Sequence, residues 1–170
     1  MEKRAHTILL SHPAMPETLC LSEFSGPILV SACLCGEICR YDAKDAGIPF
    51  FKDLWKRGLA IPVCPEVLGG LPVPRDPCEI AGNRVLDTSG LDRTEAFRLG
   101  AEKTLCIAKE HGIAAAVLKE RSPSCGVTRI YDGTFGSRTI PGRGVTASLL
   151  AANGFAVFSE ETFPFPGETK

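Results

Sequence analysis

Apolar residues in this chain fall into short, dense runs divided by polar segments rich in glycine and proline. In Ile28-Leu29-Val30-Ser31-Ala32 they are consecutive instead of alternating, which predicts a strand buried on both faces. Leu59-Ala60-Ile61-Pro62-Val63, Ala114-Ala115-Ala116-Val117-Leu118 and Phe155-Ala156-Val157-Phe158 read as further strands. Between them the period changes to that of a helix. Phe50, Phe51, Leu54 and Trp55 share one face of a short helix that Gly58 stops. From Asp92 to His111 an apolar face forms around Phe97, Ala101, Leu105 and Ala108, with Asp92 or Thr94 as cap and Gly112 as terminator. Another helix is expected from Val145 to Asn153, ended by Gly154. Residues 65–82 and the polar stretch holding Tyr131-Asp132-Gly133 and Pro141-Gly142-Arg143-Gly144 are expected as loops. Strands alternating with helices predict an α/β domain whose mostly parallel sheet is flanked by helices. Residues 1–26, broken by Pro13 and Pro16, are expected as an N-terminal extension to a domain spanning 27–170.

The 170 residues suffice for one sizeable core. Lys and Arg number 19 against 20 Asp and Glu, a net charge of −1, so no basic excess favours a nucleic-acid polymer as partner. No apolar stretch has the length of a membrane span, and Met1-Glu2-Lys3-Arg4 leads into no signal-peptide core. The expectation is a cytoplasmic protein that works apart from membranes. Eight cysteines then stand out. In a reducing compartment they are explained by burial, catalysis or metal binding rather than by disulfides.

Cys33, Cys64 and Cys125 each sit beside turn chemistry near the end of an apolar run, where an open α/β sheet presents its ligand-binding edge. They lie 31 and 61 residues apart, too far for a local zinc knuckle, and His6, His12 and His111 are elsewhere. Three cysteines suit an iron–sulfur cluster that keeps one iron without a protein ligand, open to substrate as a Lewis acid. Taken singly, each is equally well explained as a small buried hydrophobe. Cys35 and Cys39 are near Cys33, and Cys35 reaches the same site if the chain turns at Leu34. Cys106 is expected in the core under the long helix, while Cys20 and Cys78 carry no signal. Glu66 is the acid–base candidate, in a Pro-Glu-Val turn beside the sheet edge. Ser122 and Ser124 offer hydroxyls, although turn-forming serine explains them too. Asp42 and the pair Asp132/Arg138 are weaker candidates, and the backbone of 142–146 is a weak candidate for an anion.

The strings VSACLCGEICRYD, PVCPEVLGGLPVPRDPCEI, LKERSPSCG, IYDGTF and IPGRGVTASLLAANG, in this order, resemble the DUF523 family from about Ile28 to Glu161. That family is similar to iron–sulfur-dependent desulfidases acting on thiolated pyrimidines such as 2-thiouracil. The resemblance implies a single Rossmann-like domain and a 4Fe–4S cluster held by Cys33, Cys64 and Cys125, with one iron not ligated by protein. It also implies catalytic roles for Glu66 and for Ser122 or Ser124; Asp42 and Ser124 are the expected substrate contacts. Where the family commonly has Leu-Leu-Gly and Val-Arg-Tyr-Asp, this chain has Leu34-Cys35-Gly36 and Cys39-Arg40-Tyr41-Asp42, so either extra thiol is a candidate fourth ligand. The expected activity is non-redox hydrolysis of a thiocarbonyl group on a small thiolated molecule. Three alternatives stand beside it: a cluster-carrying sensor without turnover, a metal-free sulfurtransferase with persulfide on Cys125, and a structural zinc domain.

Overall fold

The computed structural model describes residues 25–165, so Cys20 and most of the expected extension lie outside the described residues. Strands β1 (Ile28–Ser31), β2 (Ala60–Val63), β5 (Ala115–Leu118) and β8 (Ala156–Ser159) form one parallel sheet in the order β2-β1-β5-β8. The central pair, β1 and β5, is buried along its whole length, which is why both read as unbroken apolar runs. Pro62, which cannot donate to a ladder, sits in β2 at the sheet's edge.

Successive residues of β1 serve opposite faces. Ile28 and Val30 pack with Phe51 and Leu54 of α1 (Pro49–Lys56) and with Phe163. Leu29 and Leu118 pack on the other face with Ala108 of α3 (Thr94–Glu110) and Leu150 of α4 (Val145–Ala152). The sheet is thus the middle of three layers, as the strand–helix alternation predicts. Among the described residues no helix is long and apolar enough to cross a membrane.

The structure corrects the expected loops. Residues 65–82 hold a one-turn helix α2 (Pro65–Leu68) and strand β3 (Cys78–Ala81), which pairs antiparallel with β4 (Arg84–Asp87). Gly82, at φ +63°, opens the two-residue turn between them. A second hairpin joins β6 (Arg129–Tyr131) to β7 (Thr139–Pro141). Cys106 is exposed on α3 rather than in the core, because the buried stripe runs through Phe97, Ala101, Thr104 and Ala108.

One contact places the future site. A Cβ on Gly100 of α3 would stand 1.9 Å from the carbonyl oxygen of Pro65, and one on Gly69 would stand 2.0 Å from that of Ala96. Two bare backbones therefore let α2 lie directly against α3. That pins the segment carrying Cys64 and Glu66 at the end of β2.

Candidate functional site

The sheet order changes direction between β1 and β5, and the crevice at such a switch point is where open α/β sheets bind ligands. A cavity of about 480 Å³ opens there, lined by Cys33, Cys64, Glu66, Ser122 and Cys125 among others.

Each thiol arrives by a different device. Strand β1 stops at Ser31, and residues Ala32–Cys35 coil into a 3-10 turn closed by Gly36 at φ +93°. The turn at Leu34 sends Cys33 to the cavity and buries Cys35 in the core beside Phe51 and Leu54. Cys64 precedes α2 at the end of β2, with Pro65 starting the helix. Cys125 sits in the turn after β5. Two further thiols, Cys39 and Cys78, also line the cavity, and Cys64 Sγ donates to the Cys39 carbonyl at 3.7 Å.

The turn bearing Cys125 is built around a buried carboxylate. Glu120 is 2% exposed. Its Oε1 accepts the N–H groups of Val127, Thr128 and Arg129 at 2.9, 3.1 and 3.1 Å, and its Oε2 accepts the Thr128 hydroxyl at 3.0 Å. Burial by itself would raise its pKa, but these donors outweigh burial and hold it at about 2. From the other side, the Ser124 carbonyl accepts the N–H of Thr146 at 2.9 Å and of Ala147 at 3.2 Å, and Pro123 O takes that of Val145 at 2.9 Å. The first N–H groups of α4 are therefore spent on this turn, and the anion site weighed for 142–146 is not there.

The two serines part company. Ser122 Oγ accepts the N–H groups of Ser124 and Cys125 at 3.1 and 3.0 Å, leaving its own hydrogen to point at Glu66 Oε1, 3.5 Å away. Ser124 is completely buried, and its hydroxyl pairs with that of Thr146 at 2.8 Å, away from the cavity lining. Asp42 is likewise not in the lining. It grips the guanidinium of Arg40, which is in the lining, at 2.9 and 3.0 Å. That ion pair holds the Asp42 carboxyl at about 2. The pair Asp132/Arg138 is a loose contact of 3.9 Å on the second hairpin.

Glu66 has a partner that sequence reading passed over. Arg75 Nε donates to Glu66 Oε2 at 2.7 Å, and the Arg75 side chain is only 6% exposed. Arg75 is fixed in turn by donating to the Pro72 carbonyl at 3.0 Å and, through its backbone N–H, to Tyr41 O at 2.9 Å. One carboxylate oxygen is thereby immobilised while the other faces Ser122. Lys119 also borders the cavity, paired with Glu160. Neither Arg75 nor Lys119 sits in a pattern that points to a partner nine or forty-one residues away.

The donor set fits a multi-iron group. Burial pushes the Cys125 thiol up to about 12, and its hydrogen bond with Cys33, followed by burial, pushes Cys39 to about 12. Contact with Cys39 and then burial raise Cys64 as well. Thiols so placed are protonated without a cation and become thiolates when a metal supplies positive charge. Among the described residues no three His, Cys, Asp or Glu side chains are grouped to share one ion. A cluster asks for less, since each thiolate binds a different iron.

A parallel α/β sheet with cysteines, a paired carboxylate and a hydroxyl gathered at its switch-point edge defines a cysteine-centred enzyme. The chain belongs to the 2-thiouracil desulfurase family, which it matches over residues 28–162. It is a desulfidase-like enzyme. It is 45% identical over 143 residues to the uncharacterized protein YbbK of Bacillus subtilis (strain 168), covering 78% of this chain and 95% of YbbK. It is also similar to the solved structure of TudS, a 4Fe-4S-dependent thiouracil desulfidase, with 46% identity and a TM-score of 0.79. That match covers 82% of this chain and 94% of TudS.

Proposed function

We propose that this protein removes sulfur from a thiolated pyrimidine or a similar small thiocarbonyl compound by non-redox hydrolysis, using a 4Fe–4S cluster. Cys33, Cys64 and Cys125 would hold the cluster and leave one iron without a protein ligand. The observation that carries the reading is that these thiols share one cavity with the Glu66–Ser122 pair. Bound there, the cluster would supply a soft Lewis acid suited to the substrate sulfur.

The protein's own groups divide the remaining work. Glu66 Oε1 takes a proton from the attacking water, while Arg75 keeps Oε2 fixed so that the free oxygen stays aimed. Ser122, which already accepts two backbone N–H groups, can donate only its hydroxyl hydrogen, and so orients the water or the ring for Glu66. Arg40, held by Asp42, offers further donors to a polar ring edge. Exchange of C=S for C=O by water releases hydrogen sulfide and changes no oxidation state, so no external electron carrier is required.

Two alternatives lose ground. A persulfide carrier needs an accessible, readily ionised thiol, whereas Cys125 is 5% exposed and its pKa is about 12. A structural zinc domain needs donors grouped around one ion.

The test is anaerobic reconstitution followed by assay with 2-thiouracil, in wild type and in Cys33→Ser, Cys64→Ser, Cys125→Ser and Glu66→Gln. The expected result is about four irons per chain, lost in each cysteine variant. Glu66→Gln keeps its iron and loses about 100-fold or more in kcat. A fully loaded wild type that releases no sulfide from any thiolated pyrimidine supports the sensor instead.

A further inference from the structure

Three aromatic rings line the cavity, those of Tyr41, Tyr131 and Phe135, and the chemistry above uses none of them. Phe135 is unusual in two ways. It is 37% exposed, so much of an apolar ring is left in water. Its backbone also has φ +58°, a region nearly closed to bulky residues, and Ser137 two positions on has φ +59°.

Such a conformation persists only where the surroundings impose it. Here the agent is Glu79 of β3, itself only 7% exposed. Its Oε2 accepts the N–H of Gly133 at 2.9 Å and the N–H of Phe135 at 3.0 Å. Asp132 Oδ1 takes the N–H of Thr134 between them at 3.0 Å. The loop also lies hard against β3, since a Cβ on Gly133 would meet Ile80 O at 2.6 Å. A buried carboxylate thus fastens the strained loop tip that carries Phe135 at the cavity wall.

We propose that Phe135, held in place by Glu79, is a stacking platform for a flat, unsaturated heterocycle, and that it makes the site prefer ring thiocarbonyls over open-chain ones. The cavity then has two kinds of surface. Glu66, Ser122 and Arg40 meet the polar edge of a base, and Phe135 meets its face. This proposal rests on the desulfidase reading for the sulfur, but the platform recognises the ring whether or not sulfur is present.

The experiment measures binding of uracil and 2-thiouracil to the reconstituted protein, with kcat and KM for 2-thiouracil and thioacetamide, in wild type, Phe135→Ala, Phe135→Leu and Phe135→Trp. Loss of one stacking contact should weaken binding of both bases by about 5- to 150-fold. The loss should fall on KM, with kcat nearly unchanged and thioacetamide unaffected. Phe135→Trp should restore binding and Phe135→Leu should not. Binding in Phe135→Ala within about twofold of wild type overturns the platform, as does a wild type that binds neither base. A wild type that binds uracil through Phe135 yet desulfurises nothing leaves the platform standing and ends the desulfidase reading.

Discussion

Replacing Glu120 by Gln removes one charge from the turn that carries Ser122 and Cys125, and its cost can be worked from the structure. The carboxylate accepts four backbone N–H groups, those of Arg121, Val127, Thr128 and Arg129, and one hydroxyl, which lowers its pKa from an ordinary 4.5 to about 2. That difference is worth about 3 kcal/mol of stability at neutral pH. The sign follows from the depressed pKa. The stabilisation is complete above about 4.5 and is lost as the pH falls towards about 2. Glutamine keeps one acceptor oxygen but turns an amide NH₂ towards donors, so little is regained. At about 2–4 °C per kcal/mol for a chain of this size, Glu120→Gln should melt about 6–12 °C below wild type at pH 7. Thermal melts followed by circular dichroism from pH 7 down to pH 3 provide the assay, with the gap narrowing below about pH 4.5. A gap under about 2 °C at pH 7, or one that ignores pH, would refute the argument that these bonds hold the turn.

The two serines should separate cleanly. Ser124→Ala strands the Thr146 hydroxyl and should cost about 1 kcal/mol of stability with kcat and KM unchanged, as denaturant melts and kinetics would show. Ser122→Ala should lower kcat and also loosen the Cys125 turn, which iron content after gel filtration would reveal. Arg75→Met frees Glu66 Oε2 and should lower kcat by about tenfold or more with iron content retained, while an unchanged kcat would deny Arg75 any positioning role.

How much of this was legible depended on whether a residue's meaning is local. Cys33, Cys64 and Cys125 stand out because each follows a run apolar enough to be a strand, and the structure brings all three to one cavity. The hairpins were not legible. Their strands are three or four residues long, and Pro72, Pro74 and Pro77 make the first hairpin's approach look like a loop. Gly82-Asn83 between Ile80-Ala81 and Arg84-Val85 was the available clue. Ser122 and Ser124 look equivalent in a turn, and only their distant partners, Glu66 and Thr146, tell them apart. Glu120 and Arg75 could not be recognised for the same reason, since a charge next to a turn is ordinarily a solvated one.

Cys33, Cys64 and Cys125 come from segments that follow three different strands, and the last of these is itself fastened by a side chain from beyond β8, where Glu160 receives the N–H of Glu120 at 2.7 Å. A ribosome releasing this chain therefore exposes Cys33 and Cys64 long before their third companion exists in its final place. Iron delivered early would find only a partial set, open to the wrong metal. If Cys33, Cys64 and Cys125 hold the cluster as proposed, its assembly has to follow the folding of the whole domain, on thiols that line the same cavity as Glu66 and Ser122.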